Sequence, residues 1–395
     1  MLHRILSTVI AAFLCISAGA QGICVINGNI ADDRLHDGKK IKKVALTRTD
    51  ELGRQVEIAT AKVKKGAYTL KYKLATDEPV LQYLITGFGE GAAVEVFVES
   101  GEVTVNTPSV TAVGQSTVIG TPTNDAYSQY KAILSAGLDE VAAQVAALEA
   151  RNGKEWMESA QGKAAVKRIT AKEAVRTESQ ALRFLIDNNA SPMTPLVIER
   201  SLLPKLTAAY ADQMLKTIAY SLTSHPYYLS LRNKVLANDM KVGNELPDVV
   251  LPLSNGEVKR LGDFRGKYVV LNFWTGGCAK SDALIAEMKN LYDVVKDNQE
   301  QFVIISVALE SDAAAWKAAL ESNGMNREGW LNACDLAGTD SPAAKLLGVE
   351  KAPKIILVEQ EGRAVSLDMD IDEVVMRVEQ ILSGDLYYFD QADYK

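Results

Sequence analysis

The sequence predicts an α/β C-terminal domain that follows an N-terminal all-β, sandwich-like domain and a helical middle segment. Three observations predict this order. Short runs of alternating apolar residues continue to about residue 107. Residues 124–241 lose the alternation and are rich in Ala, Lys, Glu and Arg, whereas residues 243–384 alternate strand patterns with amphipathic helix patterns. The 395 residues, 47% of them hydrophobic, are enough for about two to three domains.

The N-terminus has the pattern of a secretory signal peptide. Arg4 precedes a largely apolar stretch at 5–17, and Ala18-Gly19-Ala20 fits the small-residue rule for cleavage. We expect residues 1–20 to be removed and the mature chain to begin at Gln21; an uncleaved anchor is the alternative. No later segment reaches about 18 uninterrupted apolar residues. The sequence therefore predicts a mature chain without a transmembrane segment, exported across the inner membrane to the periplasm or cell envelope.

Composition and cysteine spacing argue against several kinds of chemistry. The net charge of −7 disfavours a general nucleic-acid binder, which needs a basic surface to neutralise phosphates. The three histidines and four cysteines show no zinc-ligand spacing, so neither a metal nor a cofactor is predicted. Signal cleavage removes Cys15 and leaves Cys24, Cys278 and Cys334. This odd number implies at least one free thiol or an intermolecular bond.

The first domain is predicted over residues 21–107, where strand patterns are separated by turn signals. Residues 68–74 alternate strictly, and the runs 94–98 and 103–105 flank a short turn as a hairpin would. Ser, Thr, Gly and Pro then predict a linker at 108–123. The remaining boundaries are a helical segment at 124–241, an α/β domain at 242–386 and an acidic, aromatic tail at 387–395.

The α/β domain carries a cysteine shortly after a buried strand. Residues 268–274 form an almost continuous apolar run, as a strand buried on both faces requires, and Cys278 follows. Residues 280–296 repeat apolar side chains at helical spacing. A second buried strand at 302–309 and a hairpin across Glu361-Gly362 complete the pattern of a mixed sheet.

Short motifs along this domain match one known family. They are Gly243-Asn244-Glu245-Leu246-Pro247-Asp248, Leu261-Gly262-Asp263-Phe264-Arg265-Gly266-Lys267, Asn272-Phe273-Trp274, Trp316, Leu347-Gly348-Val349, Pro353 and Glu361-Gly362. On these motifs, residues 243–384 resemble the periplasmic TlpA/ResA-like branch of thioredoxin-fold proteins, within the thioredoxin and AhpC/TSA superfamily. The front of the mature chain resembles a β-domain of unknown function often fused ahead of such domains, through Gly66-Ala67-Tyr68 and residues 97–101.

The resemblance implies thiol–disulfide chemistry at Cys278. The family places the first cysteine of Trp-Cys-x-x-Cys at a helix N-terminus, which favours the thiolate, and the second cysteine resolves the mixed disulfide. Here Ser281 occupies the second position and Gly277 replaces the Trp. We therefore predict exchange through a single cysteine with protein thiols and disulfides of envelope clients. Lys280 is expected to help hold the thiolate.

The family also implies a substrate-binding proline. It places a cis-proline opposite the cysteine, which predicts a cis Ala352–Pro353 bond. The backbone before that proline would be free to pair with an extended substrate.

Cys334 is a candidate distant resolving cysteine, or else a buried inert thiol.

Two other functions stay open at this point. Thr275 lies three residues before Cys278, the spacing by which peroxiredoxins place a hydroxyl beside the sulfur, so a peroxidase is one alternative. A redox-inactive scaffold that binds proteins is the other, because a fold alone does not fix function. The clients, the redox partner and the oligomeric state are left open.

Overall fold

The structure, a computed structural model, describes residues 22–35, 37–49 and 54–384. The predicted signal peptide at 1–20 and the predicted tail at 387–395 lie outside the described residues. Among the described residues, no helix combines the length and the hydropathy needed to cross a bilayer. The chain forms two compact units, the first ending at Met193 and the second beginning at Thr194.

The first unit begins with eight strands in two four-stranded sheets. The strands are β1 (Ile23–Asp32), β2 (Lys43–Thr49), β3 (Gln55–Lys62), β4 (Ala67–Lys73), β5 (Leu81–Thr86), β6 (Val94–Val98), β7 (Gly101–Ser109) and β8 (Thr117–Ile119). One sheet has the order β4-β1-β7-β8 and the other β3-β2-β5-β6. Side chains from both sheets, including Ile26, Leu46 and Ile85, form one apolar core. The predicted all-β, sandwich-like class is confirmed.

Strand β4 shows how the sequence pattern produces this core. Tyr68 and Leu70 are buried, whereas Thr69 and Lys71 between them are exposed, because successive side chains of a strand point to opposite faces. Gly66 precedes the strand with φ of +79°. A side chain is disfavoured in that conformation, so glycine supplies the turn.

Two details of the sequence prediction for this unit are wrong. The runs 94–98 and 103–105 do not pair as a hairpin, since β6 and β7 lie in different sheets. The segment predicted as a linker at 108–123 contains β8, which pairs antiparallel with β7. Val113 and Val118 are buried in the sandwich core, and they hold this Ser/Thr-rich segment to the sheet.

Three helices complete the first unit. They are α1 (Pro122–Asn152), α2 (Lys154–Glu158) and α3 (Ala160–Asp187). The side chain of Asn124 ties α1 to β6, because Oδ1 accepts from the Phe97 N–H and Nδ2 donates to the Phe97 carbonyl, each at 2.8 Å. Helices α1 and α3 approach closely at Gly137, where a Cβ would lie 2.1 Å from Oγ1 of Thr177.

Three shorter helices precede the sheet of the second unit. They are α4 (Met193–Val197), α5 (Ala208–Thr217) and α6 (Pro226–Asn238). Since the second unit begins at Thr194, the helical segment predicted as one piece at 124–241 is divided between the two units. Asn233 of α6 anchors the segment leading into the sheet. Its Nδ2 donates to the Asp248 carbonyl at 3.0 Å, and its Oδ1 accepts from the Asp248 N–H at 2.9 Å.

The second unit contains a five-stranded mixed sheet with helices. Its elements are β9 (Val250–Pro252), β10 (Val258–Arg260), β11 (Tyr268–Trp274), α7 (Ala279–Val295), β12 (Phe302–Ala308), α8 (Ala313–Ser322), β13 (Trp330–Ala333), α9 (Pro342–Leu346), β14 (Lys354–Val358), β15 (Ala364–Ser366) and α10 (Ile371–Ser383). The sheet order is β13-β12-β11-β14-β15, and β9 with β10 forms a separate hairpin. Every residue of β12 is buried, since an apolar cluster covers each face of the sheet. The predicted α/β class and the β14–β15 hairpin are confirmed.

Candidate thiol site

The ends of four strands meet at one edge of the mixed sheet. Trp274 at the end of β11 pairs in register with Ala308 at the end of β12, and β13 runs parallel to β12. Strand β14 is antiparallel to β11 and begins at this edge, where Lys354 pairs with Phe273. Ligand sites of α/β sheets lie outside the carboxyl ends of the strands. All of the predicted site residues belong to segments that meet at this edge.

Cys278 caps the N-terminus of α7. Its carbonyl accepts from the Asp282 N–H at 2.9 Å, and its side chain is partly exposed. The pKa of the Cys278 thiol is lowered, first by the Ser281 N–H, then by the Ser281 hydroxyl and the Lys280 N–H. Desolvation and the Asp282 carboxylate oppose this shift in pKa. The first turn of the 17-residue helix thus offers donors to a thiolate, as a helix N-terminus does in reactive-cysteine sites.

Ser281 is part of this donor set even though its side chain is fully buried. Its Oγ accepts from the Thr275 N–H at 3.2 Å, and the same hydroxyl contributes to lowering the pKa of the Cys278 thiol. The hydroxyl is therefore held by the loop before the cysteine and favours the thiolate form of Cys278. Thr275 enters the site through its backbone N–H. Lys280 enters through its backbone as well, and its side chain is exposed.

Glu310, which sequence reasoning missed, connects the cysteine loop to the neighbouring strands. Its Oε1 accepts from the Gly276 N–H at 2.7 Å. Its carbonyl oxygen accepts from Cys334 Sγ at 3.5 Å and from the Gly338 N–H at 3.1 Å. The one sequence signal was its position just past the carboxyl end of β12, where site residues of such sheets gather.

Cys334 lies just past the end of β13 and is 5% exposed. Burial raises the pKa of its thiol, and Sγ accepts from the Leu336 N–H at 3.4 Å. Strand β12 separates β13 from β11, so the ends of these two strands are about 10 Å apart. Cys278 and Cys334 are both free thiols in this structure. Cys24, on β1 of the other unit, is also free and buried.

The Ala352–Pro353 peptide bond is cis, as the resemblance implies. It lies immediately before β14, beside the strand that leads to the cysteine loop. The Lys354 ammonium donates to the Gly348 carbonyl at 3.1 Å, so it is bonded to the loop that connects α9 to β14. Among the residues that the structure describes, no group of three or more His, Cys, Asp or Glu side chains could hold a metal ion.

These features together define the thioredoxin fold and its thiol site: the order of the mixed sheet, a cysteine that caps a helix after the central strand, and a cis-proline before the adjacent strand. Comparison with protein families agrees. Residues 266–364 match the family described as thioredoxin-like, and residues 24–127 match the family described as a domain of unknown function, DUF4369. The two resemblances read from the sequence are confirmed.

Similar proteins include thiol-disulfide oxidoreductases of bacteria. The chain is 29% identical over 140 residues to thiol-disulfide oxidoreductase ResA of Bacillus subtilis, covering 35% of this chain and 74% of that protein. It is 36% identical over 66 residues to ResA of Geobacillus kaustophilus, covering 17% of this chain but only 38% of that relative. A solved structure of a thiol-disulfide oxidoreductase from Bacteroides fragilis is 26% identical, with 35% of this chain and 99% of that one covered and a TM-score of 0.33.

Proposed function

We propose that the protein is an extracytoplasmic thiol–disulfide exchange protein that acts through the single thiol of Cys278. One observation carries the proposal: Cys278 caps α7, and the N–H groups of the first turn together with the Ser281 hydroxyl lower the pKa of its thiol. The similarity to thiol-disulfide oxidoreductases supports this class of chemistry. Ser281 at the resolving position supports the single-cysteine form.

The exchange step follows from the chemistry of one thiolate. The Cys278 thiolate attacks one sulfur of a client disulfide, a mixed disulfide forms, and the second client sulfur leaves as a thiolate. Ser281 offers no sulfur to break the mixed disulfide. A thiolate of the client must therefore attack the client sulfur of that bond and release Cys278. The cycle rearranges client disulfides without net oxidation or reduction.

The proposed compartment is the periplasm or cell envelope. The signal-peptide pattern at 1–20 supports export, and disulfides persist in such oxidising compartments. A fusion of residues 1–30 to a reporter that is active only after export would test this. Activity is expected with the natural segment, whereas Leu14→Arg, which interrupts the apolar stretch, should abolish it. Equal activity of both fusions would contradict export by this segment.

Labelling of Cys278 tests the exchange function directly. We expect the rate of carbamidomethylation of Cys278 by iodoacetamide to rise with pH, with its midpoint at a pH below the pKa of an ordinary thiol, about 8.5. Incubation with an oxidised peptide should give a mixed disulfide that Cys278→Ser abolishes. Peptide mass analysis scores Cys24 and Cys334 separately. A Cys278 that reacts only after unfolding would contradict the proposal.

The second candidate function is a redox-inactive scaffold, which the replacement of the resolving cysteine by Ser281 favours. Ser281→Cys distinguishes the two candidates. If the exchange geometry is intact, this variant places two thiols at the helix N-terminus and should reduce a peptide disulfide to free thiols. A folded variant that reduces nothing would favour the scaffold.

A further inference from the structure

Leu336 combines two properties that seldom occur together. It has φ of +60°, a left-handed backbone conformation that a residue with a Cβ adopts only under constraint. Its side chain is also 41% exposed. Within the part of the chain that the structure describes, the other non-glycine residues with positive φ are Lys65 and Asp77, both polar. A strained, exposed leucine therefore needs an explanation that core packing does not supply.

The surrounding loop holds Leu336 in place by its own hydrogen bonds. The Leu336 N–H donates to Cys334 Sγ at 3.4 Å, and the Ala337 N–H donates to Asp335 Oδ1 at 3.0 Å. The other oxygen of Asp335 accepts from the hydroxyl of Ser341, a buried residue, at 2.6 Å. The loop is thus hydrogen-bonded on both sides of the strained residue, and the buried thiol of Cys334 takes part in these bonds.

Glu310 joins this loop to the cysteine loop. Its carbonyl accepts from Cys334 Sγ and from the Gly338 N–H, while its carboxylate accepts from the Gly276 N–H two residues before Cys278. Both loops leave the same edge of the sheet, and β13 lies about 10 Å from β11. An extended peptide rises about 3.3 Å per residue. A client strand held at Cys278 would cover the spacing between the ends of β11 and β13 in about three residues.

We propose that Leu336 is a specificity-determining residue that contacts an apolar side chain of an extended client segment, about three residues from the client cysteine. The inference rests on the proposed exchange function. An exposed leucine offers a partner only the removal of apolar surface from water, so it selects an apolar over a polar side chain. In this assignment Cys334 and Glu310 are positioning residues, because they fix the loop and touch no client.

The test uses peptides whose single cysteine carries a thionitrobenzoate group as a mixed disulfide. Attack of the Cys278 thiolate on the peptide sulfur joins the peptide to Cys278 and releases the coloured thionitrobenzoate anion. One peptide carries Leu three residues to either side of the cysteine, and its partner carries Asn there. The symmetrical aromatic disulfide dithiobis(nitrobenzoate) reports the reactivity of Cys278 without a peptide.

The variant is Leu336→Asn, since asparagine tolerates the left-handed conformation. Leu336→Met, which keeps an apolar side chain, is the matched control. We expect the wild type to react about tenfold faster with the Leu peptide than with the Asn peptide. Leu336→Asn should abolish that preference and leave the rate with the small disulfide unchanged, while Leu336→Met retains the preference.

The outcomes separate the inference from the function on which it rests. A wild type that reacts with both peptides at equal rates overturns the role of Leu336 and leaves exchange intact. An equal loss of rate with both peptides and with the small disulfide in Leu336→Asn overturns it as well, because the residue would then act only on the fold. A wild type that reacts with none of the disulfides overturns the exchange function itself.

Discussion

At Ser281, a hydroxyl occupies the place where two-cysteine sites hold their second sulfur. It is buried, it accepts from the Thr275 N–H, and it contributes to lowering the pKa of the Cys278 thiol. A thiol in that place would attack the sulfur of Cys278 in the mixed disulfide, release the client thiolate and form a disulfide with Cys278, whereas a hydroxyl cannot do so. The residue thus favours a lasting thiolate over rapid resolution of the mixed disulfide.

Removing the hydroxyl should weaken the thiolate. Ser281→Ala deletes one donor to Cys278 and leaves the backbone donors of α7, so the pKa of the thiol should rise. We expect alkylation of Cys278 at pH 7 to slow about three- to tenfold, as the loss of one hydrogen bond predicts. The matched control is Lys280→Ala, which keeps its N–H and should change little. Equal rates for Ser281→Ala and the wild type would contradict this donor role.

Glu310 should support the cysteine loop by accepting a hydrogen bond from the Gly276 N–H, and an uncharged acceptor oxygen should serve as well as a carboxylate. Glu310→Ala frees the Gly276 N–H, and the loop of Gly276 and Gly277 loses its anchor. We expect alkylation of Cys278 to slow about threefold or more. Glu310→Gln keeps an acceptor oxygen and should restore most of the rate. If the Gln variant were as slow as the Ala variant, charge rather than loop position would be the cause.

The sequence predicted Cys278 and the cis bond at Pro353 because both belong to local motifs. Glu310 and Leu336 carried no such signal. The bond between Glu310 and Gly276 joins residues 34 positions apart, and only the strand register brings them together. Leu336 looks like any exposed leucine until its φ is known.

At the scale of elements, the sandwich edge is closed by a helix side chain. β6 is the last strand of its sheet, so its outer backbone groups have no strand partner. The buried Asn124 amide of α1 pairs with the backbone of Phe97 instead. This contact joins the helices of the first unit to its sheets.

Losing that amide should destabilise the first unit. Asn124→Ala leaves the buried N–H and carbonyl of Phe97 without partners, and the free energy of unfolding should fall by about 2–4 kcal/mol. Urea unfolding followed by circular dichroism measures the change. Gln129→Ala, at an exposed position of the same helix, should stay within about 0.5 kcal/mol of the wild type. An Asn124→Ala midpoint equal to that of Gln129→Ala would contradict the anchoring role.

Element type was predictable where periodicity was strong, and sheet membership was not. The run at 68–74 became strand β4 because its apolar residues alternate with polar ones, and the run at 268–274 became strand β11 because it is apolar almost throughout and is buried on both faces. The pairing of β6 with β7 was predicted wrongly, since a short turn between two strands does not reveal that the chain crosses to the opposite sheet. Likewise, Val113 and Val118 were too few to mark 108–123 as part of a core.

At the scale of the whole molecule, we expect the buried thiols to make the free energy of unfolding fall at alkaline pH. Burial is the main cause that raises the pKa of Cys24 from 9.0 to about 11. Because the pKa is higher in the folded state, the contribution of this thiol to stability is fully present below the pKa of the unfolded state. It is lost as the pH rises through the pKa of the folded state. We expect the loss between pH 9 and about 11 to be roughly 2–3 kcal/mol for this group.

Comparison with Cys24→Ala isolates that contribution from other alkaline titrations. The difference in unfolding free energy between wild type and variant should shrink as pH rises from 8 to 11, when measured by urea unfolding. A difference independent of pH would mean that the Cys24 thiol ionises alike in the folded and unfolded states.

The different exposures of the three thiols also bear on labelling of the native protein. Cys24 and Cys334 are buried, and Cys278 is the partly exposed member of the set in the described residues. In a chain without residues 1–20, and hence without Cys15, a maleimide fluorophore or a spin label should therefore attach at one position. No cysteine then needs to be substituted to place a probe at Cys278, and the probe reports directly on whatever approaches the N-terminus of α7.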